Sequence, residues 1–246
     1  MSLETEVAAF TSKATALLDY YGAFKTTAAK AIADAVAAAP AISRTFYVNT
    51  LIGDDNALGN IDTPLKTIER AVAATPDGGV VDVILVADYT LPITVSVKSR
   101  RLMVRGDNGA SNTRKLILNE YLNTNGMKKF GSFQMDRGGA IDFADLTISL
   151  PDSVGGLAAA QDNYYAMIYG GGSKTPGFLP VKLYNVAFAL RGTFAGKIIG
   201  SGIACVSLGA INCTVPGALE GSLVNGVTAG TDPNTIPWMT TNITKL

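Results

Sequence analysis

The sequence predicts a mainly β fold, in which short strands stack as successive coils of a solenoid, preceded by an N-terminal helical stem. Three observations predict it: a ten-residue unit that occurs three times, a heptad stripe of apolar residues near the N-terminus, and a composition poor in charge. Hydrophobic residues make up 48% of the 246 residues and charged residues only 16%. We therefore expect a large core, extensive interfaces between subunits, and trimeric assembly through a coiled-coil stem.

The repeated unit reads IDFADLTISL at 141–150, VKLYNVAFAL at 181–190 and VSLGAINCTV at 206–215. Aligned without gaps, the three copies share apolar residues at the first, third, sixth, eighth and tenth places. The alternation has a period of two, slips by one residue and then resumes, which is typical of two short strands joined at a corner. We expect the third-place residues Phe143, Leu183 and Leu208 to lie above one another in a continuous apolar interior.

The fifth place of the unit marks the corner between the two strands. It holds Asp145 and Asn185, which tolerate left-handed backbone angles, and Ala210, which suits such a bend less well. The spacing from the first copy to the second is longer than the spacing from the second to the third. The longer spacing is one coil with a long loop or two coils. The alternative is that three half-buried hairpin strands align by coincidence.

Residues 3–39 form one predicted helix, rich in alanine, which Pro40 ends. Its apolar residues follow one another at alternating spacings of four and three, a heptad stripe that predicts a coiled coil. The side chains expected at the centre of this trimer stem are Phe10, Leu17, Tyr21 and Phe24. The alternative is one amphipathic helix that lies against another protein. In either case residues 1–42 are expected to form a stem for attachment.

Behind the stem, the pattern changes from helical to β. The segment 45–49 (TFYVN) is a predicted strand, and 53–60 (GDDNALGN) is a loop rich in turn residues. A capping helix is predicted over 63–74, with Thr63 as its N-cap and Pro64 at its first position. An amphipathic helix at this place would cover the open end of the stacked strands.

The order of these motifs resembles the opening of right-handed parallel β-helix domains of the pectin-lyase-like type. The resemblance lies in YVN, GDDNALG, TPLKTIERAVAATPDGG and VDVILVADYT between residues 47 and 90, and in the stem FTSKATALLDYYGAFKTTAAKAIADAV before them. Such openings are common in bacteriophage tail fibres and tailspikes. The resemblance implies a β-helix over 43–215 in a virion tail appendage that is assembled in the host cytoplasm. It also implies partners: other virion tail or baseplate proteins and a host surface polysaccharide.

The composition argues against several classes of protein. Twenty basic and twenty acidic residues leave no net charge, so no nucleic-acid partner is expected. No apolar run approaches the roughly 18 residues that a membrane-spanning helix needs. No membrane insertion is therefore expected, and the N-terminus has no signal-peptide pattern. The chain has no histidine, and we predict no metal ion or other cofactor. Of the two cysteines, Cys213 is expected in the core, and both fit assembly in a reducing compartment.

Residues 91–137 carry nine basic and three acidic side chains. Such a local excess of positive charge would bind an anionic glycan or an acidic neighbour in an assembly. Arg100, Arg101 and Arg105 are the candidate glycan-binding residues of this segment. The alternative is that the basic residues point outward and only keep the strands soluble.

Three tyrosines, Tyr164, Tyr165 and Tyr169, lie beside glycines and a lysine in 151–180. Aromatic rings beside polar loops can stack on sugar faces, so these residues are also candidates for glycan binding. The alternative is that NYYAMIYG at 163–170 is a packed strand in another coil.

Cleavage of a glycan would need two carboxylates roughly 5–9 Å apart. The carboxylates considered are Asp54, Asp55, Asp136, Asp142, Asp145 and Asp152. Asp145 is expected to be structural because it lies at the corner, and no lysine or arginine has a recognisable spacing beside carboxylates for lyase chemistry. We therefore assign no catalytic residue and predict a structural attachment module. A tailspike polysaccharide depolymerase, hydrolase or lyase, is the alternative, and a cellular adhesin is a third interpretation.

The end of the chain is poor in charge, with only Glu220 and Asp232 charged between residues 198 and 244. A free surface rarely has so few charges. We therefore predict that 216–246 form an extended tail packed on sister subunits or on a partner.

Overall fold

The computed structural model describes residues 2–38, 42–109, 113–122, 124, 126, 128–152, 165–170, 177–200 and 204–246. Within these residues the chain is mainly β, with one long N-terminal helix and parallel sheets, which confirms the fold class at this level. The chain divides into two compact units, Met1–Ile42 and Ser43–Leu246, each described by itself below.

The first unit contains helix α1 (Leu3–Ala38). The side chains predicted for the stem are all exposed within this unit, from 56% for Leu17 to 74% for Phe10. These aromatic and aliphatic side chains thus form an exposed apolar stripe along α1. Assembly of the stem as a trimer stays a prediction.

The second unit begins with strand β1 (Ser43–Val48) and helix α2 (Ile68–Ala73). The further strands are β2 (Val80–Leu85), β3 (Tyr89–Leu91), β4 (Thr94–Lys98), β5 (Arg101–Gly106), β6 (Lys115–Leu118), β7 (Glu120–Leu122), β8 (Lys128–Phe130), β9 (Ser132–Met135), β10 (Ala140–Leu150), β11 (Ala166–Gly170), β12 (Phe178–Leu190), β13 (Lys197–Gly200), β14 (Cys205–Ile211) and β15 (Met239–Thr241). Two short 3₁₀ helices, Gly217–Leu219 and Pro233–Thr235, lie between β14 and β15.

The strands form two parallel sheets and one hairpin among the described residues. The main path of the larger sheet runs β1–β2–β5–β10–β12–β14–β15, with β3 and β6 also joined to it, and the smaller sheet runs β13–β11–β9–β4. Strands β7 and β8 pair antiparallel. Partners along the main path are remote in the sequence, as Ser43 is from Val80 and Ile141 from Val181. Since parallel partners need long crossover connections, hairpin pairing of the three repeat copies is excluded.

The register of β10 and β12 matches the repeat alignment. Phe143 lies opposite Leu183, and Leu146 opposite Val186. The third copy was aligned wrongly by two residues, because Leu183 lies opposite Ala210, and Leu208 opposite Val181. Phe143, Leu183 and Leu208 are all buried, but Leu208 belongs to the neighbouring column.

The corner residue of each copy explains the corrected register. Asp145, Asn185 and Asn212 have φ angles of 53°, 54° and 55°. Asx residues tolerate this left-handed conformation better than alanine, so the third corner lies at Asn212 and not at Ala210. The Asn185 side-chain amide donates a hydrogen bond of 2.7 Å to the Asp145 carboxylate, which ties two successive corners together.

One glycine continues this row of corners. A Cβ on Gly106 would lie 2.3 Å from the carbonyl oxygen of Asp145. Since no side chain fits at that distance, β5 approaches the corner of β10 only because residue 106 is glycine.

The core lies between the two parallel sheets. A column of side chains that are at most 1% exposed crosses the larger sheet: Phe46, Val83, Val104, Phe143, Leu183 and Ala210. The smaller sheet contributes its own buried column: Val95, Phe133, Ile168 and Ile199. The rings of Phe133 and Phe143 meet edge to face, 5.4 Å apart, and so join the two columns. Cys213 is buried as predicted, and burial raises the pKa of its thiol.

Helix α2 is shorter than predicted because its N-terminus was placed wrongly. Its N-cap is Thr67 and not Thr63, and the Thr67 hydroxyl accepts a hydrogen bond from the Arg70 amide. The Asp55 carboxylate accepts hydrogen bonds of 3.0 and 2.9 Å from the amides of Lys66 and Thr67. This anchoring, together with a β-bridge from Leu65 to Val48, delays the helix until Ile68.

The C-terminal segment packs on its own chain. Leu219, Leu223, Val224 and Leu246 are buried in the common core. Strand β15 pairs with β14, so the segment is not simply extended. Its packing on sister subunits or on a partner stays a prediction.

Candidate functional site

Most of the arginines in 91–137 are neutralised by carboxylates of neighbouring strands or turns. Arg101 approaches Asp142 to 2.5 Å, and Arg105 makes two hydrogen bonds of 3.0 and 2.9 Å to Asp82. Arg114 pairs in the same two-point manner with Asp107, at 2.6 and 2.8 Å. Their guanidinium groups are thus already engaged within the chain.

The local charge count in the sequence could not reveal these pairs. Asp82 lies 23 residues before Arg105, and Asp142 lies 41 residues after Arg101. Parallel pairing brings such distant residues side by side on one face of a sheet. The glycan-binding roles of Arg101 and Arg105 stay predictions, but the free positive face from which they were inferred is largely compensated.

The ion pairs also change proton affinities. Hydrogen bonding to Arg114 lowers the pKa of Asp107, and hydrogen bonding to Asp82 raises the pKa of Arg105. Both shifts stabilise the charged forms.

The two candidate tyrosines that the structure describes, Tyr165 and Tyr169, are buried. Tyr165 and Tyr169 are each 7% exposed, and every residue of β11 is buried. The Tyr165 ring contacts Phe130 edge to face at 4.6 Å, and its hydroxyl bonds the Glu120 carboxylate at 3.2 Å. This arrangement matches the packed strand that was the alternative to sugar stacking, since buried rings leave little area for a sugar. Tyr164 lies outside the described residues, and the role of all three in glycan binding stays a prediction.

Most of the aspartates considered for catalysis have structural partners. Asp54 accepts a hydrogen bond from the Asn56 amide, and Asp152 accepts one from the Thr193 amide. Asp55 anchors the start of α2, Asp142 pairs with Arg101, and Asp145 forms a corner. Asp136 also has a partner, Gln134, but it lines a pocket as well.

This pocket is formed by three stacked turns at residues 75–79, 97–100 and 136–139. The Arg101 amide donates to the Gly79 carbonyl at 3.0 Å, and the Ala140 amide donates to the Arg100 carbonyl at 3.1 Å, which holds the turns in a stack. The lining residues are Asp77, Lys98, Asp136 and Arg137, around a volume of about 190 Å³. We call it the turn pocket.

A glycine allows the close approach of two of these turns. A Cβ on Gly139 would lie 2.5 Å from the Lys98 carbonyl oxygen and 2.9 Å from that of Arg100. The third turn can therefore lie directly on the second only with glycine at this position.

Arg100 lies beneath the pocket and fixes one of its walls. Its side chain is buried, its Nε donates to the Thr75 carbonyl at 2.7 Å, and its Nη1 lies 2.7 Å from the Asp77 carboxylate. Arg100 is therefore a positioning residue for Asp77, and its role in glycan binding stays a prediction.

The second carboxylate of the pocket is also held in place. Asp136 is 8% exposed, and the Gln134 amide donates to it at 3.3 Å. The charge of Asp136 contributes to the raised pKa of Tyr169, after the larger effect of burial. Asp136 is thus an anchored carboxylate at the pocket wall, with little freedom to reorient.

The two cations of the pocket are less constrained by partners. Lys98 and Arg137 are exposed, and neither forms an ion pair with another described residue. Both adopt left-handed backbone angles, with φ of 56° and 54°. The register between β4 and β9 shifts beside Lys98, which marks a bulge that re-aims its side chain.

Sequence reasoning missed this constellation of lysine and arginine beside carboxylates. Its members come from three turns that are remote from one another in the sequence, so no local motif contains them. The available signal was the turn chemistry of PDGG at 76–79 and DRGG at 136–139. Only the stacking of these turns makes their charged residues neighbours.

Metal binding and membrane crossing are two further properties to consider in the described part of the chain. No cluster of three or more aspartate, glutamate or cysteine side chains there has the arrangement of a metal site. The described helices also lack the combination of length and apolar character that crossing a lipid bilayer requires.

Comparison of the chain with protein-family models, with curated proteins and with solved structures gives no match.

Proposed function

We propose that this chain is a right-handed parallel β-helix that trimerises through its N-terminal helix and serves as an attachment or connector module of a phage tail fibre or tailspike. The observation that carries the proposal is the buried column from Phe46 to Ala210, in which like residues of parallel strands lie in register. Parallel neighbours with long connections and a shared interior are what a coil-by-coil stack produces.

The corners support the same architecture. Asp145, Asn185 and Asn212 repeat one backbone conformation at one place in successive strands. The contact between Phe133 and Phe143 places the second sheet against the first across a common interior. A chain that turns at the same place in every repeat and closes on one core forms a solenoid.

The exposed stripe of α1 supports assembly. Phe10, Leu17, Tyr21 and Phe24 lie at heptad positions and are all more than half exposed in the single chain. Burial of apolar surface is the dominant favourable term in most protein–protein association. Three copies of the helix would cover these residues, and the stem would then join the body to other virion tail or baseplate proteins.

Attachment is favoured over catalysis because the aspartates are largely committed to structure. Five of the six aspartates considered accept hydrogen bonds or form ion pairs that stabilise turns, corners or strands: Asp54, Asp55, Asp142, Asp145 and Asp152. In this proposal the body presents a surface to a host polysaccharide.

The trimer is tested by the mass of the purified chain in solution. Light scattering should give three times the chain's 25.6 kDa. The double substitution Leu17→Asp and Phe24→Asp should give the mass of one chain, because unpaired carboxylates at the centre of the stem cannot be buried together.

The matched control changes two apolar residues of α1 that lie off the stripe. Leu18→Asp with Tyr20→Asp removes side chains of similar exposure, 72% and 67%, and should leave the trimer intact. A wild-type chain that scatters as a monomer would contradict the proposal. Equal dissociation by both pairs of substitutions would contradict the heptad assignment.

A depolymerase is the second candidate, and the turn pocket favours it. Lys98 and Arg137 stand beside Asp77 and Asp136 there, the combination that lyase chemistry requires and that the sequence did not show. Incubation with bacterial capsule or O-antigen should release oligosaccharides if this function is present. Asp136→Asn should then abolish release, whereas an attachment module binds such glycans without shortening them.

A further inference from the structure

We infer that the turn pocket binds a single acidic sugar residue of a glycan, with Lys98 and Arg137 on the sugar's carboxylate and Asp77 and Asp136 on its hydroxyl groups. The inference rests on the proposed function for the glycan as ligand, and it deepens that function by naming the class of glycan and the place that recognises it.

Lys98 and Arg137, the two cations of the pocket, both have an unusual backbone conformation. Among described residues other than glycine, positive φ angles occur at Asp145, Asn185 and Asn212, and at Lys98 and Arg137. The first three are Asx corners, for which this conformation is common. Lysine and arginine have no such preference, so the fold accepts unfavourable backbone angles to present two cations at one pocket. Strain of this kind concentrates at binding sites.

The mixture of charges defines the ligand. Two cations without ion-pair partners among the described residues would attract an anion, but a cluster of phosphates would be repelled by Asp77 and Asp136 at the same pocket. A molecule with one carboxylate and several hydroxyl groups satisfies both sets of side chains. Arginine bonds a carboxylate at two points, and aspartate accepts hydrogen bonds from hydroxyl groups.

The pocket is also preorganised for such a ligand. Asp77 is held by the buried Arg100, Asp136 by Gln134, and the turns by the glycine at 139. A site whose carboxylates are already fixed loses little conformational freedom on binding.

The size of the pocket limits the ligand to one ring. Its volume of about 190 Å³ is below the roughly 300–1,000 Å³ of pockets that enclose a drug-sized molecule. The remainder of a longer glycan would extend over the surface outside it.

The test uses the full chain and small glycosides as probes. In saturation-transfer NMR titrations, methyl β-D-glucuronide should bind about tenfold or more tightly than methyl β-D-glucoside, because charge-assisted hydrogen bonds to the carboxylate are lost in the glucoside. Inorganic phosphate should compete weakly or not at all. Equal binding of the two glycosides, or tighter binding of phosphate, would overturn the inference.

A pair of glycine variants separates binding from folding. Lys98→Gly with Arg137→Gly removes both cations while keeping a residue suited to positive φ, so the melting temperature should not fall and glucuronide binding should drop about tenfold or more. The control Asn212→Gly changes a left-handed position outside the pocket and should bind the glucuronide normally. Unchanged binding in the double variant would contradict the assignment, and if that variant does not fold, Arg137→Asn provides the same comparison.

Failure of this inference can be distinguished from failure of the proposed function, because the two experiments measure different properties. A trimer by light scattering that shows no preference for the glucuronide would refute only the pocket. A monomer that binds the glucuronide through Lys98 and Arg137 would refute the trimer and leave the pocket in place.

Discussion

At the residue scale, single residues adopt the left-handed backbone conformation that regular strands do not have. Three corners of the larger sheet hold a residue in the left-handed conformation: Asp145, Asn185 and Asn212. Such a position costs an ordinary L-residue about 1–2 kcal/mol. The amide of Asn185 adds a hydrogen bond to Asp145, so this residue contributes through both its backbone and its side chain.

Substitution of Asn185 should separate these two contributions. Asn185→Ala should lower the free energy of unfolding by about 2–3 kcal/mol, since it loses the hydrogen bond and strains the backbone. Asn185→Gly should cost less, because glycine adopts the corner conformation without strain. Urea unfolding of both variants measures the difference, and an alanine variant as stable as the glycine variant would show that the corner is not left-handed.

Tyr89 is a second residue with a double role. Its buried hydroxyl donates to the Glu69 carboxylate at 2.7 Å and accepts from the Ile68 amide at 3.2 Å, at the first residue of α2. Burial, followed by the charge of Glu69, raises the pKa of the Tyr89 hydroxyl far above its ordinary value of 10.0. The folded chain therefore keeps a proton that the unfolded chain releases in alkali.

This linkage fixes the sign of the pH dependence. The contribution of Tyr89 to stability is fully present below about pH 10 and is lost as the pH rises above it. Tyr89→Phe should cost about 1–3 kcal/mol at neutral pH, because the Ile68 amide loses a partner. This cost should shrink as the pH rises above about 10. Unfolding curves of both proteins on either side of this pH provide the measurement, and a constant difference would refute the linkage.

At the element scale, the register of the parallel strands decides which side chains share a layer. Leu183 lies opposite both Phe143 on one neighbour and Ala210 on the other, whereas Leu208 lies opposite Val181. Since one residue of slip would expose every buried side chain of a strand, the core strongly specifies this pairing.

A double-mutant cycle tests the register. Phe143→Leu and Leu183→Val should each destabilise the chain, by about 0.5–1.5 kcal/mol for a loss of one methylene and more for the ring. Their effects should be coupled by about 0.5 kcal/mol or more, because directly opposed residues share one cavity. Leu183→Val and Leu208→Val should be closer to additive, because Leu208 lies opposite Val181. Stronger coupling between Leu183 and Leu208 than between Phe143 and Leu183 would restore the gapless repeat alignment.

At the scale of the body 43–246, the C-terminal segment closes the core. Leu246 is 1% exposed, its amide donates to the Thr231 carbonyl, and its carbonyl accepts from the Gly230 amide at 2.7 Å. Trp238, Met239 and Ile243 pack beside the same core. The segment thus covers apolar residues of the last strands with short 3₁₀ helices and strand β15, and not with an α-helix.

Leu246→Ala should therefore destabilise the body although it lies at the last position of the sequence. Deletion of a fully buried leucine side chain costs about 2–5 kcal/mol. Thermal unfolding of the variant measures this loss. Lys245→Ala is the neighbouring control, since this exposed side chain should contribute little, and equal melting temperatures of the two variants would contradict closure by Leu246.

How much of the site could be predicted differs from residue to residue. Asp136 was visible as a candidate carboxylate, and Arg100 was singled out, but as a glycan-binding residue and not as the buried partner of Asp77. Lys98 and Arg137 appeared only as members of a basic segment. No pattern in the sequence connects the three turns of the pocket, because strands that pair in parallel are far apart in the chain.

Local patterns in the sequence are sufficient to predict the half-buried strands and the long helix, since periodicity is a local property. Alternation in 141–150 and 181–190 specifies the strands, and the alanine-rich heptads specify the helix. The corners at Asp145 and Asn185 are predictable as well, because backbone preference belongs to single residues. The third corner at Asn212, the start of α2 at Ile68 and the pairing of arginines with distant aspartates emerge only in the folded chain. Each of these depends on hydrogen bonds or ion pairs between segments that are remote in the chain, and stacking alone brings those segments together.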